Sequence, residues 1–261
     1  MNDNEKVVIR EIKRLQQFGY SDEDIIKEFE SKILKLNSVA LSLFFAKNVK
    51  GVDVKVHEKV IIDSKNLEYN YLFAKDVVEA DVKAHGKVII DSKDLIYNYL
   101  FAWDIKGADI KEHGKIIIAS QDLYDNYQFA KKVEGADVKA HGKVIIDSKD
   151  LRENYEFARD VRGADIEAHG QVIINSQDVK YNYEFACNVL HADTKKHGKI
   201  IRKSKNSFYQ KKFMAFKKRD DFSQVQVVNN TCSNEISQCK EKINCSLDSI
   251  LKQKKKVRVK K

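Results

Sequence analysis

The stretch ADVKAHGKVIIDSK, Ala80–Lys93, is repeated letter for letter at Ala136–Lys149, and near-copies lie before, between and after these two. The histidines mark the period, because they recur every 28 residues, a spacing typical of repeat arrays. We therefore predict six 28-residue repeats over residues 36–203. The six histidines are His57, His85, His113, His141, His169 and His197.

The first half of each repeat carries the pattern of a helix. In the copy that begins at Ser92, apolar side chains recur three and four residues apart at Leu95, Tyr99 and Ala102. We expect the leading serine to be the N-cap and a glycine such as Gly107 to end the helix. The serines are Ser64, Ser92, Ser120, Ser148, Ser176 and Ser204, and the glycines are Gly107, Gly135 and Gly163.

The second half begins with an aspartate, which is a good N-cap. Val82, His85 and Ile89 then follow at helical spacing. An alternative interpretation makes the run KVII a short strand and the repeat a strand–helix unit. We favour two helices, because the aspartate cap and the spacing of His85 and Ile89 both favour a helix. A pair of helices of roughly ten to twelve residues each fits the period. Stacked helix-turn-helix repeats give an all-α fold, an α-solenoid in which each repeat contacts only its neighbours.

A resemblance supports the helical interpretation. The copy ENYEFARDVRGADIEAHGQVIINSQD, Glu153–Asp178, resembles short repeats of uncharacterised bacterial, phage and giant-virus proteins, whose units have the form YxFARDVKGANIExLxxAVIxS. The likeness covers about residues 36–204 and implies a helical repeat, but no activity. The chain departs from the pattern at the His-Gly pair, where those proteins usually have long aliphatic or polar residues.

Residues 1–35 differ from the repeats and predict an N-terminal helical cap. Gly19 is expected to end a first helix, and Ser21 is expected to be the N-cap of a second. Asp24 follows Ser21 by three residues, as in a capping box.

The other end of the chain departs gradually from the repeat. Residues 204–219 keep Phe213 of the pattern and predict a degenerate polar capping repeat, which solenoids need for solubility. Residues 220–261 lose the register. We predict that they form a flexible, basic and largely disordered tail.

Positive charge is concentrated at the C-terminal end. Residues 202–261 hold 17 Lys+Arg against 5 Asp+Glu, whereas the remaining 201 residues hold 31 against 34. The closing run KQKKKVRVKK predicts contact with a nucleic-acid backbone, weakened steeply by salt, or a nuclear-import signal. The candidate residues are Lys254, Lys255, Lys256, Arg258, Lys260 and Lys261.

Composition narrows the class of protein further. No apolar run is long enough to span a membrane, and the first residues carry no apolar signal-peptide core, so we expect an intracellular monomer, cytoplasmic or imported into a nucleus. The four cysteines fit neither CxxC pairs nor a disulfide scaffold, which favours reduced thiols. The alternative is a zinc ion bound by Cys232, Cys239 and Cys245, although no histidine lies near them in the sequence.

The repeated Asp-x-x-x-His pair is the sharpest candidate for chemistry. Asp81 and His85 share one helix face and could form a base or hold zinc. The pair is made six times, however, with no third ligand or nucleophile beside it. We therefore predict no catalytic, cofactor or metal residues, and a packing role for Gly86. The predicted structural residues are Asp81, His85, Gly86, Asn98, Asp109, His113, Asn126, Asp137 and His141.

The asparagines form a second regular column, at Asn98 and its equivalents. Asparagine is a poor residue inside a helix, so its regular use predicts a hydrogen-bonded ladder between successive repeats. Ligand recognition by this column is the alternative.

Three positions of the first helix vary between copies, and they lie at i, i+4 and i+7 on one face. We call this surface the variable stripe. It predicts a non-enzymatic interaction or scaffold protein that binds a protein partner there, while sequence drift on a solvated face is the alternative. The stripe consists of Ile96, Leu100, Trp103, Tyr124, Gln128, Lys131, Arg152, Glu156 and Arg159.

Overall fold

The computed structural model describes residues 1–219, which contain 15 helices and no strand. The all-α prediction is therefore confirmed, and the run KVII is helical. The chain divides into two compact units, Met1–Ser176 and a second that begins at Gln177. The first unit contains the cap and five repeats, and the second contains the sixth repeat. Within residues 1–219, no helix has both the length and the apolar character needed to cross a membrane.

Two helices precede the repeats, as the sequence predicts. Helix α1 spans Asp3–Gln17 and α2 spans Asp22–Leu36. The Ser21 hydroxyl accepts a hydrogen bond from the backbone N–H of Asp24 and so caps α2. Gly19 lies between the helices with φ +84°, which only glycine adopts at little steric cost.

Helix α2 matches the second helix of a repeat in position. Ile33 lies 28 residues before Ile61, and both side chains are fully buried. Asn37 lies 28 residues before Lys65, and both end their helices in the left-handed conformation. The cap therefore presents to the first repeat the kind of surface that each repeat presents to the next.

The first helix of each repeat has ten residues. Its N-cap is Asp, Asn or Ser, whose side-chain oxygen accepts from the third backbone N–H that follows. In the first unit these helices are α3 Val39–Asn48, α5 Leu67–Asp76, α7 Leu95–Asp104, α9 Leu123–Lys132 and α11 Leu151–Asp160, and in the second unit α13 Val179–Asn188.

The second helix has ten or eleven residues and begins after the predicted aspartate. The carboxylate of this aspartate accepts hydrogen bonds from backbone N–H groups of the first turn. In α6, for example, the Ala84 N–H donates to Asp81 Oδ1 at 3.0 Å. In the first unit these helices are α4 Val54–Ser64, α6 Val82–Ser92, α8 Ile110–Ser120, α10 Val138–Ser148 and α12 Ile166–Ser176, and in the second unit α14 Thr194–Lys203.

The N-cap prediction for the first helices was wrong by two residues. Ser92 is the last residue of α6, and Asp94 caps α7 by accepting from the Tyr97 N–H at 2.9 Å. The Ser92 hydroxyl donates to the Ile89 carbonyl at 2.6 Å and accepts from the Asp94 N–H at 3.1 Å. Ser64, Ser120, Ser148, Ser176 and Ser204 donate to the equivalent isoleucine carbonyls. The serine thus ties the end of one helix to the start of the next.

The predicted role of Gly107 also changes. Helix α7 ends at Asp104, and Ile105 is already extended. Gly107 lies in the following turn with φ +89°, and the Ala108 N–H donates to the Ile105 carbonyl at 3.1 Å. The glycine therefore allows the positive φ that this turn requires, and it does not end the helix.

The hydrophobic core of the first unit forms where consecutive repeats pack together. Phe101 is fully buried and packs with Ile105 of its own repeat and with Ile89 and Ala74 of the preceding repeat. Each repeat of the first unit therefore depends on its predecessor for burial of its phenylalanine. The equivalent buried side chains are Phe45, Phe73, Phe129 and Phe157, with Phe185 and Phe213 in the second unit.

The second unit ends, within the described residues, in helix α15, residues 207–219. Phe213 packs against Ile201 and Ala186, as a repeat phenylalanine would. The predicted basic tail, residues 220–261, lies outside the described residues.

Candidate functional site

In the second to fifth repeats, a buried Asn–His pair joins the two helices of the repeat, and the asparagine also bonds to the preceding repeat. In the third repeat, Asn98 Nδ2 donates to the Ile89 carbonyl at 3.0 Å and to the Asp94 carbonyl at 2.7 Å. Its Oδ1 lies 2.8 Å from Nδ1 of His113. The same 2.8 Å contact joins His85 to Asn70, His141 to Asn126, His169 to Asn154 and, in the second unit, His197 to Asn182.

These contacts fix the tautomer of the histidine. Because both amide protons of Asn98 go to carbonyl oxygens, its Oδ1 faces the imidazole, and Nδ1 of His113 must donate. Nε2 then carries a lone pair without a hydrogen-bond partner. Burial lowers the pKa of His113 to about 4, although Asp109 opposes the shift. His85, His141, His169 and His197 have the same lowered pKa for the same reason.

The glycine beside each histidine makes room for the next repeat. A methyl group on Gly86 would lie 3.2 Å from the Phe101 ring and 3.5 Å from Nε2 of His113. The Phe101 and His113 rings pack with centroids 5.0 Å apart. A methyl group at Gly86 would therefore require the Phe101 side chain of the following repeat to shift by a few tenths of an ångström, and Gly114 and Gly142 occupy equally close positions.

The structure does not bring Asp81 and His85 together as a chemical pair. The Asp81 carboxylate accepts from the backbone N–H groups of Lys83 and Ala84, whereas His85 turns its Nδ1 towards Asn70. Asp109 and Asp137 cap their helices in the same way. Residues 1–219 contain no cluster of three or more His, Cys, Asp or Glu side chains able to hold a metal ion.

The first repeat lacks the asparagine. Ser42 takes its position, and its hydroxyl and both nitrogens of His57 are buried without a hydrogen-bond partner. The His57 ring is tilted by 54° to Phe45, against 31° for the ring pair in the third repeat. Burial lowers the pKa of His57, opposed by the Glu30 carboxylate 3.5 Å from Nε2.

A glutamate replaces the glycine in this same repeat. Glu58 Oε1 accepts from the Asp81 N–H at 2.5 Å and lies 3.3 Å from Nε2 of His85. Burial raises the pKa of Glu58. Since burial also lowers the pKa of His85, both groups favour their neutral forms at this junction.

Replacing Ser42 by asparagine is expected to complete the first pair and to stabilise the protein by about 1 kcal/mol. The new Oδ1 would accept from His57 Nδ1, and the amide would face the Ser38 and Ile33 carbonyls, which occupy the positions of Asp94 and Ile89. Thermal melts at pH 7.5 would measure the gain. Ser42→Val is the control for side-chain volume, and equal stabilisation by valine would contradict the hydrogen-bond explanation.

The variable stripe is solvent-accessible on the first helices. Ile96, Trp103 and Tyr124 are 68%, 50% and 65% exposed, which is high for large apolar side chains. Leu100, Gln128 and Glu156 are half-buried, and Lys131, Arg152 and Arg159 are exposed.

One stripe residue, Lys131, and its equivalents Lys47 and Lys75 also join neighbouring repeats, which the sequence did not predict. Lys75 Nζ donates to Asp104 of the next repeat at 2.8 Å and to the Tyr71 hydroxyl at 2.7 Å. Tyr71 donates to the same carboxylate. The hydrogen bonds from Lys75 and Tyr71 lower the pKa of Asp104. Equivalent pairs are Lys47–Asp76 at 2.6 Å and Lys131–Asp160 at 2.9 Å.

The junction between the third and fourth repeats departs from this pattern. Trp103 occupies the lysine position, and Lys132 occupies the aspartate position. Lys132 Nζ lies 5.7 Å from the centroid of the Trp103 ring. A cation–π contact therefore replaces the ion pair here.

An open groove of about 650 Å³ lies between α4 and α6. Its lining mixes apolar side chains such as Ile62 and Val88 with Lys87 and Asp91. The nine stripe residues do not line it. The candidate tail residues from Lys254 to Lys261, and Cys232, Cys239 and Cys245, lie outside the described residues.

The fold and the buried pairs define the chain as an α-solenoid whose repeats interlock through Asn, His and Gly. No family model, no curated protein and no solved structure matches the chain. The resemblance of residues 36–204 to short bacterial, phage and giant-virus repeats therefore stays a prediction.

Proposed function

We propose that the chain is a non-enzymatic interaction or scaffold protein that binds a protein partner through the variable stripe. The regular columns support this proposal, because Asn98, His113 and their equivalents are buried and occupied in packing. Of the nine stripe side chains, six are exposed and three are half-buried. Repeat proteins commonly place recognition on such extended faces.

One observation carries the proposal: large apolar side chains of the stripe remain exposed where two repeats meet. Ile96, Trp103 and Tyr124 are each at least half exposed. Aromatic anchors of this kind dominate the binding energy of protein interfaces.

The double variant Trp103→Ala/Leu100→Ala is expected to weaken partner binding at least tenfold, because it removes two anchors worth roughly 1 kcal/mol or more each. Partners captured by the wild-type full chain from an extract of the source cells would be purified, and their affinity for both chains measured by calorimetry.

The matched control is Leu36→Ala/Val78→Ala, which truncates two exposed apolar side chains outside the stripe. It should bind captured partners as tightly as the wild-type chain. If the wild type and both variants bound with equal affinity, the stripe would not be the binding surface.

A further inference from the structure

The junction between the third and fourth repeats is a site in its own right. In the first unit, the lysine–aspartate pairs elsewhere neutralise each other, as Lys75 and Asp104 do at 2.8 Å. At this junction the acid is replaced by Lys132. Within residues 1–219 the structure gives Lys132 no carboxylate partner, only the Trp103 ring.

The Trp103 ring beside this positive charge belongs to a larger set of exposed apolar side chains. The Tyr99 and Trp103 rings pack with centroids 5.7 Å apart, and Tyr124 and Ile96 are exposed in the same column of neighbouring repeats. The result is an exposed aromatic and aliphatic patch with one unpaired ammonium group at its edge.

We propose that this patch binds an acidic peptide segment of the partner, with a large apolar side chain against Trp103 and Tyr124 and a carboxylate on Lys132. The inference rests on the proposed function and specifies the chemistry of its partner. A peptide carboxylate would form with Lys132 the kind of ion pair that the lysine and aspartate of the chain form at the other junctions of the first unit. The exposed rings supply the apolar contact that a peptide anchor needs.

The surrounding charges favour a peptide over a nucleic acid. Asp104 and Asp125 adjoin Trp103 and Tyr124 in sequence, and Glu156 belongs to the stripe of the next repeat. Burial raises the pKa of Asp125, with Asp122 adding to the shift. Lys131 is already paired with Asp160 and Arg152 with Glu156, whereas the described residues give Lys132 no carboxylate. One such cation suits a single carboxylate better than a phosphate backbone, whose binding requires many cations.

The test uses Trp103→Lys/Lys132→Asp, which restores the regular lysine–aspartate junction while removing the patch. A random peptide-display library would be selected on the wild-type full chain, and recovered peptides measured against both chains by fluorescence anisotropy. We expect peptides with an Asp or Glu beside Leu, Phe or Trp, and at least tenfold weaker binding to the variant. A thermal melt no lower than wild type would show that the variant is folded.

Several outcomes would overturn the inference. Recovered peptides without acidic residues, or peptides that bind both chains equally, would contradict it. Tighter binding of a fluorescein-labelled oligouridine than of any peptide, lost in the variant, would identify a nucleic-acid surface instead. A wild-type dimer in ultracentrifugation that the variant lacks would identify a second copy as the occupant.

The inference and the proposed function fail separately. If captured partners depend on Trp103 and Leu100 but bind Lys132→Asp normally, the stripe is the interface and the acidic chemistry is wrong. If neither Trp103→Ala/Leu100→Ala nor Lys132→Asp changes their affinity, both proposals fail.

Discussion

Acidification from pH 7.5 to 5.5 is expected to destabilise the protein by several kcal/mol. Burial lowers the pKa of four histidines of the first unit to about 4, whereas an unfolded chain takes up the proton near pH 6.5. Each histidine should therefore cost about 1.4 kcal/mol at pH 5.5. Total stabilities of 5–15 kcal/mol are typical, so this loss is large.

The sign follows from which state binds more protons. Above pH 7 the imidazoles are neutral in both states and contribute no pH dependence. Below pH 6.5 the histidines bind protons in the unfolded state, whereas the buried imidazoles of the folded state stay neutral. The free energy of unfolding therefore falls until about pH 4. Asp104 has a lowered pKa, and its protonation therefore reduces stability only at still lower pH.

Thermal melts between pH 7.5 and 5.5 would measure this effect, and we expect the melting temperature to fall by roughly 10 °C or more. His113→Gln should reduce the number of protons taken up on unfolding by about one, because the glutamine amide can donate to Asn98 without titrating. His191→Asn is the control, since His191 is exposed. Flat melts across this range would show that the column is accessible or already charged.

Replacing Asn126 by alanine is expected to cost about 3 kcal/mol or more. The change removes the acceptor of the buried His141 Nδ1–H at 2.8 Å and the donor to the Ile117 carbonyl at 3.0 Å. An unpaired buried donor alone costs about 1–3 kcal/mol, and the lost side-chain volume adds to this. Chemical denaturation of the variant and the wild type would measure the difference.

Asn175→Ala is the matched control for Asn126→Ala, because Asn175 is exposed near the end of a second helix. It should change stability by less than about 0.5 kcal/mol. A similar small change for Asn126→Ala would mean that the ladder contributes little to stability.

The sequence predicts the helices well because each signal recurs in at least five of the six repeats. The aspartate before Val82, the spacing of His85 and Ile89, and the small residue at Gly86 all indicate a helix with one tightly packed face. The column of Asn98 predicted a ladder, since asparagine is a poor residue inside a helix and its regular use there indicates hydrogen bonding.

The contacts between elements could not be predicted in the same way. Asn98 and His113 are 15 residues apart, and Lys75 and Asp104 are 29 apart, so their pairing depends on how helices stack. The N-cap was misplaced because Ser92 and Asp94 are both good capping residues, and only the chain path decides between them.

The Asn–His pair also gives the array a direction. In the second to fifth repeats, an asparagine such as Asn98 donates to a carbonyl of the preceding repeat, such as that of Ile89. The ribosome delivers the preceding repeat first, so the carbonyl that accepts this hydrogen bond is already synthesised when the asparagine emerges. Helix α2 supplies the initial surface, and assembly of this unit can therefore follow synthesis from the N-terminus onwards.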